Sequence, residues 1–413
     1  MKAWPDVYIP SLDSKFELPL LSLFNSASRK VEDLPTKQTY RMYVCGITPY
    51  DSTHLGHAAT YLAFDLINRY LRAKKSQVLF VENITDIDDP LLERAHRDGI
   101  NWQTLADSQI DLFRSDMTSL RILPPNFYIG AVESIGLVTQ KIEELRSAGA
   151  IYSVDNDLYF RVRNDPDFGS RSHLNEADSL RIFEQRGGDP YRKGKENPLD
   201  SLVWLSKREN EPGWPSIHGE GRPGWHIECC AIALGYLQPD THEDFLIDIQ
   251  GGGNDLVFPH HEMSASQARV STGKDFARMY VHAGMIGLNG EKMSKSLGNL
   301  VFVSTLMNSG ISPMAIRIAL MMQHYSTNRM WSDELLTRAQ DFLSNLTLYL
   351  SQTESAPTDA VIQGIIHALS ENIDTEKVFS ILQDWINECR YGSTGGNPGE
   401  LSRALDTLLG LAI

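Results

Sequence analysis

The chain is 413 residues long, 42% apolar and 22% charged, with a formal net charge of −15. That length allows two or three domains with large cores, and the composition is ordinary for a soluble globular protein. The acidic balance argues against a polyanionic partner, four cysteines make no disulfide scaffold, and no stretch approaches a membrane span. Met1-Lys2-Ala3-Trp4-Pro5 opens no apolar run, so no signal peptide is expected. A reducing cytoplasm is the expected compartment, where clustered thiols are more often metal ligands than bridges.

Residues 1–35 read as an extended lead-in with little periodicity. Tyr40–Cys45 reads as a strand, then come a Gly/Thr/Pro turn and a helix through about Arg72. Leu62, Leu66, Ile67, Tyr70 and Leu71 recur on it at helical spacing. A second strand at Val78–Glu82 completes a βαβ unit, so the fold class is α/β with a parallel sheet. Amphipathic stretches follow near 102–120 and 132–148, then a hairpin with Asp155-Asn156 at its turn. Residues 165–222, rich in Gly, Pro and charge, are expected to form an irregular insertion. Phe245–Ile249 and Met279–His282 restore the strand pattern. From about 303 the chain reads as helical, with breaks at Ser351–Asp359 and Tyr391–Gly399. The expected division is a lead-in over 1–35, an α/β domain over 36–302 with an insertion near 150–222, and helices over 303–413. From Trp331 to Ile413 there are twelve Asp and Glu against four Lys and Arg, which offers nucleic acid no basic patch.

Three groups of residues carry chemistry. His54-Leu55-Gly56-His57 sits where a turn becomes a helix, and backbone N–H groups at such a start attract phosphate. Its two imidazoles can donate to phosphates as charge develops; the plainer reading is two surface histidines. Lys292-Met293-Ser294-Lys295-Ser296 follows Gly287 and Gly290, and its lysines can neutralise a pyrophosphate leaving group. Taken singly such a loop is more often a solvated surface. The third group is Cys45, Cys229 and the segment His260-His261-Glu262. Thiolates with imidazole suit Zn²⁺, and three protein ligands leave a fourth position for substrate. A lone buried cysteine is more often core, which is the reading given to Cys230 and Cys389. Gly251-Gly252-Gly253-Asn254-Asp255 closes a strand, so its backbone can lie against a ligand, or it is simply a turn. Trp225 can wall a small pocket, although a buried Trp is usually core.

These residues resemble the cysteinyl-tRNA synthetase superfamily of class I aminoacyl-tRNA synthetases. The likeness runs through Cys45-Gly46, Tyr50-Asp51, His54–His57, Glu82–Asp89, Gly221–Cys229, Gly251–Glu262 and Lys292–Asn299. It implies a class I synthetase Rossmann-like parallel sheet with an inserted subdomain and a C-terminal helical domain. Within the superfamily the chain is similar to the mycothiol-pathway ligase branch, shortened relatives that join cysteine to the amine of glucosaminyl-inositol. Cys45-Gly-Ile-Thr-Pro-Tyr-Asp51 replaces the synthetases' usual Cys-Gly-Pro-Thr-Val-Tyr-Asp. Gln185-Arg-Gly-Gly-Asp-Pro190 resembles that branch's Glu-Arg-Gly-Gly-Asp-Pro signature, departing at Gln185. Ser264 stands where bacterial cysteinyl-tRNA synthetases often supply a glutamate as fourth zinc ligand. The stretch between Cys229 and Gly251 is longer than the family pattern, which predicts an enlarged loop away from the chemistry.

The resemblance implies one Zn²⁺ per chain on Cys45, Cys229 and His260, with substrate sulfur completing the tetrahedron. It assigns His54, His57, Lys292 and Lys295 to catalysis. Thr48, Thr85, Trp225 and Asp255 would surround cysteine and its adenylate, Thr60, Gly253, Asn254, Asp255 and Ile286 would contact the nucleotide side, and Cys45, Gly46, Ile47, Asn83 and Ile84 complete the implied binding set. L-cysteine, ATP with Mg²⁺ and glucosaminyl-inositol are the implied substrates, with no nucleic acid or membrane partner. The expected product is an amide made by an AMP-forming carbon–nitrogen ligase. The alternatives are a cysteinyl-tRNA synthetase with a reduced tail, or a non-catalytic paralogue that binds cysteine or ATP. Intact His54, His57, Lys292 and Lys295 weigh against the latter.

Overall fold

A computed structural model describes the whole chain except residues 51–52, 239–242, 289 and 294–297. Strands β1 (Ser22–Asn25) and β2 (Lys30–Asp33) form an antiparallel hairpin. The lead-in expected over 1–35 is therefore structured. Trp4, Phe16, Leu21, Leu23 and Leu34 are buried, and the Trp4 indole donates to the Ile122 carbonyl. These apolar residues are too widely spaced to produce a period, so the packing left no pattern in the sequence.

Next come β3 (Thr39–Val44), α1 (Leu55–Ala73), β4 (Gln77–Ile84), α2 (Asp89–Asp98), α3 (Trp102–Ser119), β5 (Phe127–Gly130) and α4 (Ile135–Ser147). Asp88 caps α2 through Asp89 N and Asn101 caps α3 through Gln103 N and Thr104 N, satisfying N–H groups that a helix start leaves open. Strands β6 (Ile151–Val154) and β7 (Asp157–Phe160) make the expected hairpin. Then follow α5 (Glu176–Gln185), β8 (Ser201–Ser206), β9 (Gly221–Pro223), α6 (Trp225–Leu237), β10 (Phe245–Gly253), α7 (Glu262–Thr272) and β11 (Asp275–Ala283). The insertion is thus not irregular throughout: α5 lies inside it, and β6, β7, β8 and β9 form one antiparallel sheet. Its Gly and Pro content marks the connections and hid the short strands between them.

The central sheet has the order β11-β10-β3-β4-β5 and is parallel at every pairing. Its middle strands are buried on both faces, which is why they read as continuous apolar runs. Beyond it lie β12 (Ile286–Leu288), β13 (Glu291–Lys292), α8 (Val303–Asn308), α9 (Pro313–Met321), β14 (Arg329–Trp331), α10 (Asp333–Leu350), α11 (Asp359–Ser370), α12 (Thr375–Arg390) and α13 (Pro398–Leu409). From Val303 onward the regular structure is helical apart from β14, which pairs in parallel with β12. One apolar core runs unbroken from Trp4 through α1 and the sheet to Leu411.

A buried ion cluster ties these parts together. Asp65 on α1 accepts from Arg69 Nε at 2.9 Å, from Arg317 on α9 and from Leu123 N at 2.9 Å. Arg317 also donates to the carbonyls of Leu409 and Leu120, and Arg69 to those of Asp406 and Arg121. Among the described residues no helix is long and apolar enough to cross a membrane.

Candidate active site

In an open parallel sheet, ligands settle at the carboxyl ends of the strands. Here the ends of the adjacent strands β10, β3 and β4 are joined by backbone hydrogen bonds, Cys45 N to Gly251 O and Thr85 N to Ile47 O, each 3.0 Å. Cys45–Thr48, Asn83–Thr85 and Gly253–Asp255 are thereby gathered in one place. Asn83 acts from behind: its Oδ1 accepts from Gly46 N at 2.8 Å and from the Tyr43 hydroxyl at 2.9 Å, and its Nδ2 donates to Thr85 Oγ1 at 3.3 Å. Its amide is committed to the scaffold. Ile47, Ile84, Thr85 and Ile286 are buried, while Gly46, Thr48, Gly253, Asn254 and Asp255 are half-buried. A methyl group on Gly253 would meet Asp255 Oδ1 at 2.6 Å and Thr60 Oγ1 at 3.9 Å, so these three residues cluster. The Asn254 amide donates to Asn328 Oδ1 at 2.9 Å, a partner with no signal in the sequence.

The phosphate motif opens α1. His54 is its N-cap, and His54 Nδ1 accepts from Gly56 N at 3.1 Å, which places the ring proton on Nε2. The His54 and His57 rings stack with centroids 3.8 Å apart. Leu55 N donates to Val301 O at 2.9 Å and Val303 N to Thr53 O at 3.2 Å, so the chain returning from the lysine loop is fastened to this motif. Lys292 ends β13 opposite Gly287. Its side chain and the whole of Lys295 lie outside the described residues, as do Asp51 and positions 239–242 of the lengthened 229–251 stretch.

Cys45, Cys229 and His260 are buried, and their donor atoms all lie within 4.8 Å of one another. Cys229 Sγ is 3.1 Å from His260 Nε2, and Cys45 Sγ is 3.2 Å from His261 Nε2. Two thiols and an imidazole are a donor set that suits Zn²⁺. Glu262 is committed elsewhere, accepting from Gly169 N, Ser172 N and Arg171. Ser264 donates to the His226 carbonyl at 3.0 Å. Among the described residues Cys45, Cys229 and His260 are therefore the three donors of the cluster.

The imidazoles behind the thiols form two chains. His260 Nδ1 lies 3.0 Å from His226 Nδ1, and Trp225 stacks on the His260 ring at 4.2 Å. His261 Nδ1 lies 2.8 Å from His282 Nε2, and His282 Nδ1 lies 2.7 Å from Ser26 Oγ on the N-terminal hairpin. Burial pushes His226 and His282 down to about 3, and His260 and His261 well below their ordinary value. All four are therefore uncharged at neutral pH, as a metal ligand must be. Burial, then the neighbouring Cys45, pushes the Cys229 thiol well up, a direction that a bound soft cation reverses. Tyr43, His226, His282 and Ser26 were not assigned roles from the sequence, and His261 was named only within the candidate metal segment. His226 stood in the quoted segment before Cys229, whereas nothing around Ser26 pointed here.

Comparison with known proteins adds to this geometry. Residues 32–341 match the family described as tRNA synthetases class I (C) catalytic domain. The L-cysteine:1D-myo-inositol 2-amino-2-deoxy-alpha-D-glucopyranoside ligase of Gordonia bronchialis is 47% identical over 420 residues, with 100% of both chains covered. The ligases of that name from Thermomonospora curvata and Streptomyces coelicolor are each 48% identical, again covering 100% of both chains. Among solved structures, Mycobacterium tuberculosis methionyl-tRNA synthetase with methionyl-adenylate superposes with a TM-score of 0.64 at 17% identity, covering 90% of this chain and 88% of that one. The last comparison establishes the shared class I synthetase-like fold.

Proposed function

Because the chain belongs to the class I (C) tRNA synthetase family and to its branch of cysteine–amino-sugar ligases, we propose that it joins L-cysteine to the amine of glucosaminyl-inositol at the expense of ATP. The observation that carries this reading is the buried Cys45–Cys229–His260 cluster beside the strand ends that hold the adenylate residues, in a chain nearly half identical to ligases of that name over its full length. The substrate carboxylate attacks the α-phosphorus of ATP, and pyrophosphate leaves in line. His54 and His57 stand at the start of α1 to stabilise charge on the phosphates, with Lys292 and Lys295 assigned to the leaving pyrophosphate. Mg²⁺ would arrive with the nucleotide. Thr60, Gly253 and Asp255 hold the nucleotide side, and Thr48, Thr85 and Trp225 the cysteinyl side. The amino-sugar nitrogen then attacks the activated carbonyl, loses a proton and expels AMP, leaving an amide.

When held by Cys45, Cys229 and His260, Zn²⁺ supplies a soft Lewis-acid position that suits a thiolate and not an alcohol. Selection against serine at binding makes a separate editing site unnecessary. The acidic 331–413 segment agrees with a small acceptor in place of tRNA.

The test supplies labelled cysteine and ATP with either glucosaminyl-inositol or bulk tRNA. Amide formation with the sugar and no charged tRNA is expected; charging of tRNA without the amide refutes the assignment.

A further inference from the structure

The segment Gln185–Pro190 has no part in the chemistry above, yet the structure gives it a definite one. Residues 254–261 carry both Asp255, on the nucleotide side, and the thiol-facing His260. That segment is kinked at Phe258, whose φ of −142° and ψ of 138° are not helical. Glu262 N–H donates to the carbonyls of Val257 and Pro259 and passes over Phe258 between them. The Phe258 carbonyl is taken instead by the Arg186 guanidinium. Arg186 is half-buried; burial lowers its pKa, and the charge of Asp255 opposes that shift.

The rest of the motif builds a mount for this contact. Gln185 is the last residue of α5, and Gly187 turns the chain with φ +85°. A methyl group on Gly188 would meet the Phe183 ring at 2.6 Å, and Phe183 packs in one core with Phe258. Asp189 anchors the far end, accepting from the Tyr159 hydroxyl and from Lys195 Nζ at 2.9 Å. Gln185 itself is exposed, and its Oε1 accepts from Arg181 at 3.4 Å, away from the Phe258 contact.

We propose that Arg186 is a positioning residue: its hold on the Phe258 carbonyl fixes the 254–261 segment and so sets Asp255 and His260 together. The proposal rests on the functional reading above, and its test separates the two. Wild type is compared with Arg186→Ala, Arg186→Lys and Asp189→Asn. The readouts are Zn²⁺ affinity, by competition with a chromogenic chelator, and the KM for ATP in cysteine-dependent ATP–pyrophosphate exchange. Arg186→Ala should weaken Zn²⁺ about 10- to 100-fold, the usual effect of losing a group that orients a ligand. It should also raise the KM for ATP by a larger factor than it lowers kcat. Arg186→Lys should recover part of both losses, and it carries the test if the alanine variant does not fold. Asp189→Asn, which loosens the mount without touching Phe258, should lower the melting temperature and leave both readouts within about twofold. Wild-type affinity and KM in Arg186→Ala overturn the proposal. So does an Asp189→Asn variant with the same losses, because general loosening then explains them. If wild type binds no Zn²⁺ the metal assignment fails, and the KM for ATP alone decides the role of Arg186.

Discussion

Replacing Asp65 by Asn removes one negative charge from the buried cluster at nearly constant volume. Asp65, Arg69 and Arg317 have side chains of 0% exposure. The remaining guanidinium donors go to neutral carbonyls, at 2.9 and 2.7 Å for Arg69 and at 2.7 Å for both bonds of Arg317. The neutral amide would leave two buried cations without a counter-charge. Breaking a buried pair in this way costs about 3–5 kcal/mol, several times the cost of losing a neutral hydrogen bond. Urea unfolding followed by circular dichroism measures it. The pH dependence supplies a second check. Burial favours the protonated carboxyl, but Arg69, Arg317 and the Leu123 N–H oppose it and hold Asp65 below its ordinary value. A depressed folded pKa contributes stability above the unfolded value of about 3.9 and loses it as pH falls through the folded value. The gap between wild type and Asp65→Asn should therefore be full at neutral pH and narrow below about pH 4. A cost under about 1 kcal/mol at neutral pH would show that water or rearrangement neutralises the arginines and would refute the reasoning.

Cys229→Ala should remove the zinc, about one ion per chain by elemental analysis; full retention would dismiss Cys229 as a ligand. Gly46→Ala is expected to cost about 3 kcal/mol or more, because its methyl group would lie 1.5 Å from the backbone oxygen of Asn83 and would part β3 from β4 beside Cys45. A thermal melt indistinguishable from wild type would contradict that.

The parallel sheet and the phosphate motif were legible because their signals are local. Continuous apolar strands, a helical stripe on α1 and a His-Leu-Gly-His segment at a helix start each fit within about 20 residues. Cys45, Cys229 and the segment His260–Glu262 were legible as a donor group from their chemistry, but the choice of His260 within it came only through family resemblance, since the three ligands lie in separate parts of the chain. What supports it was not legible. The approach of Ser26 to His282, the Asn254–Asn328 bond and the grip of Arg186 on Phe258 join residues 256, 74 and 72 positions apart, with no period or spacing to announce them. Of the insertion's strands, β8 and β9 were missed for another reason: β9 is three residues long, too short for alternation to register, and β8 stands in a stretch dominated by Gly, Pro and charge.

The stretch that matches the family's catalytic domain, 32–341, is not the stretch that works as a unit. Upstream of it, the β1–β2 hairpin reaches behind the thiols to brace an imidazole; downstream, the carbonyls of Asp406 and Leu409 receive Arg69 of α1 and Arg317 of α9. A fragment cut to the recognisable core would keep every signature residue and lose the props at both ends. Borders drawn from likeness thus fall inside this machine, and its ends are fittings of the site.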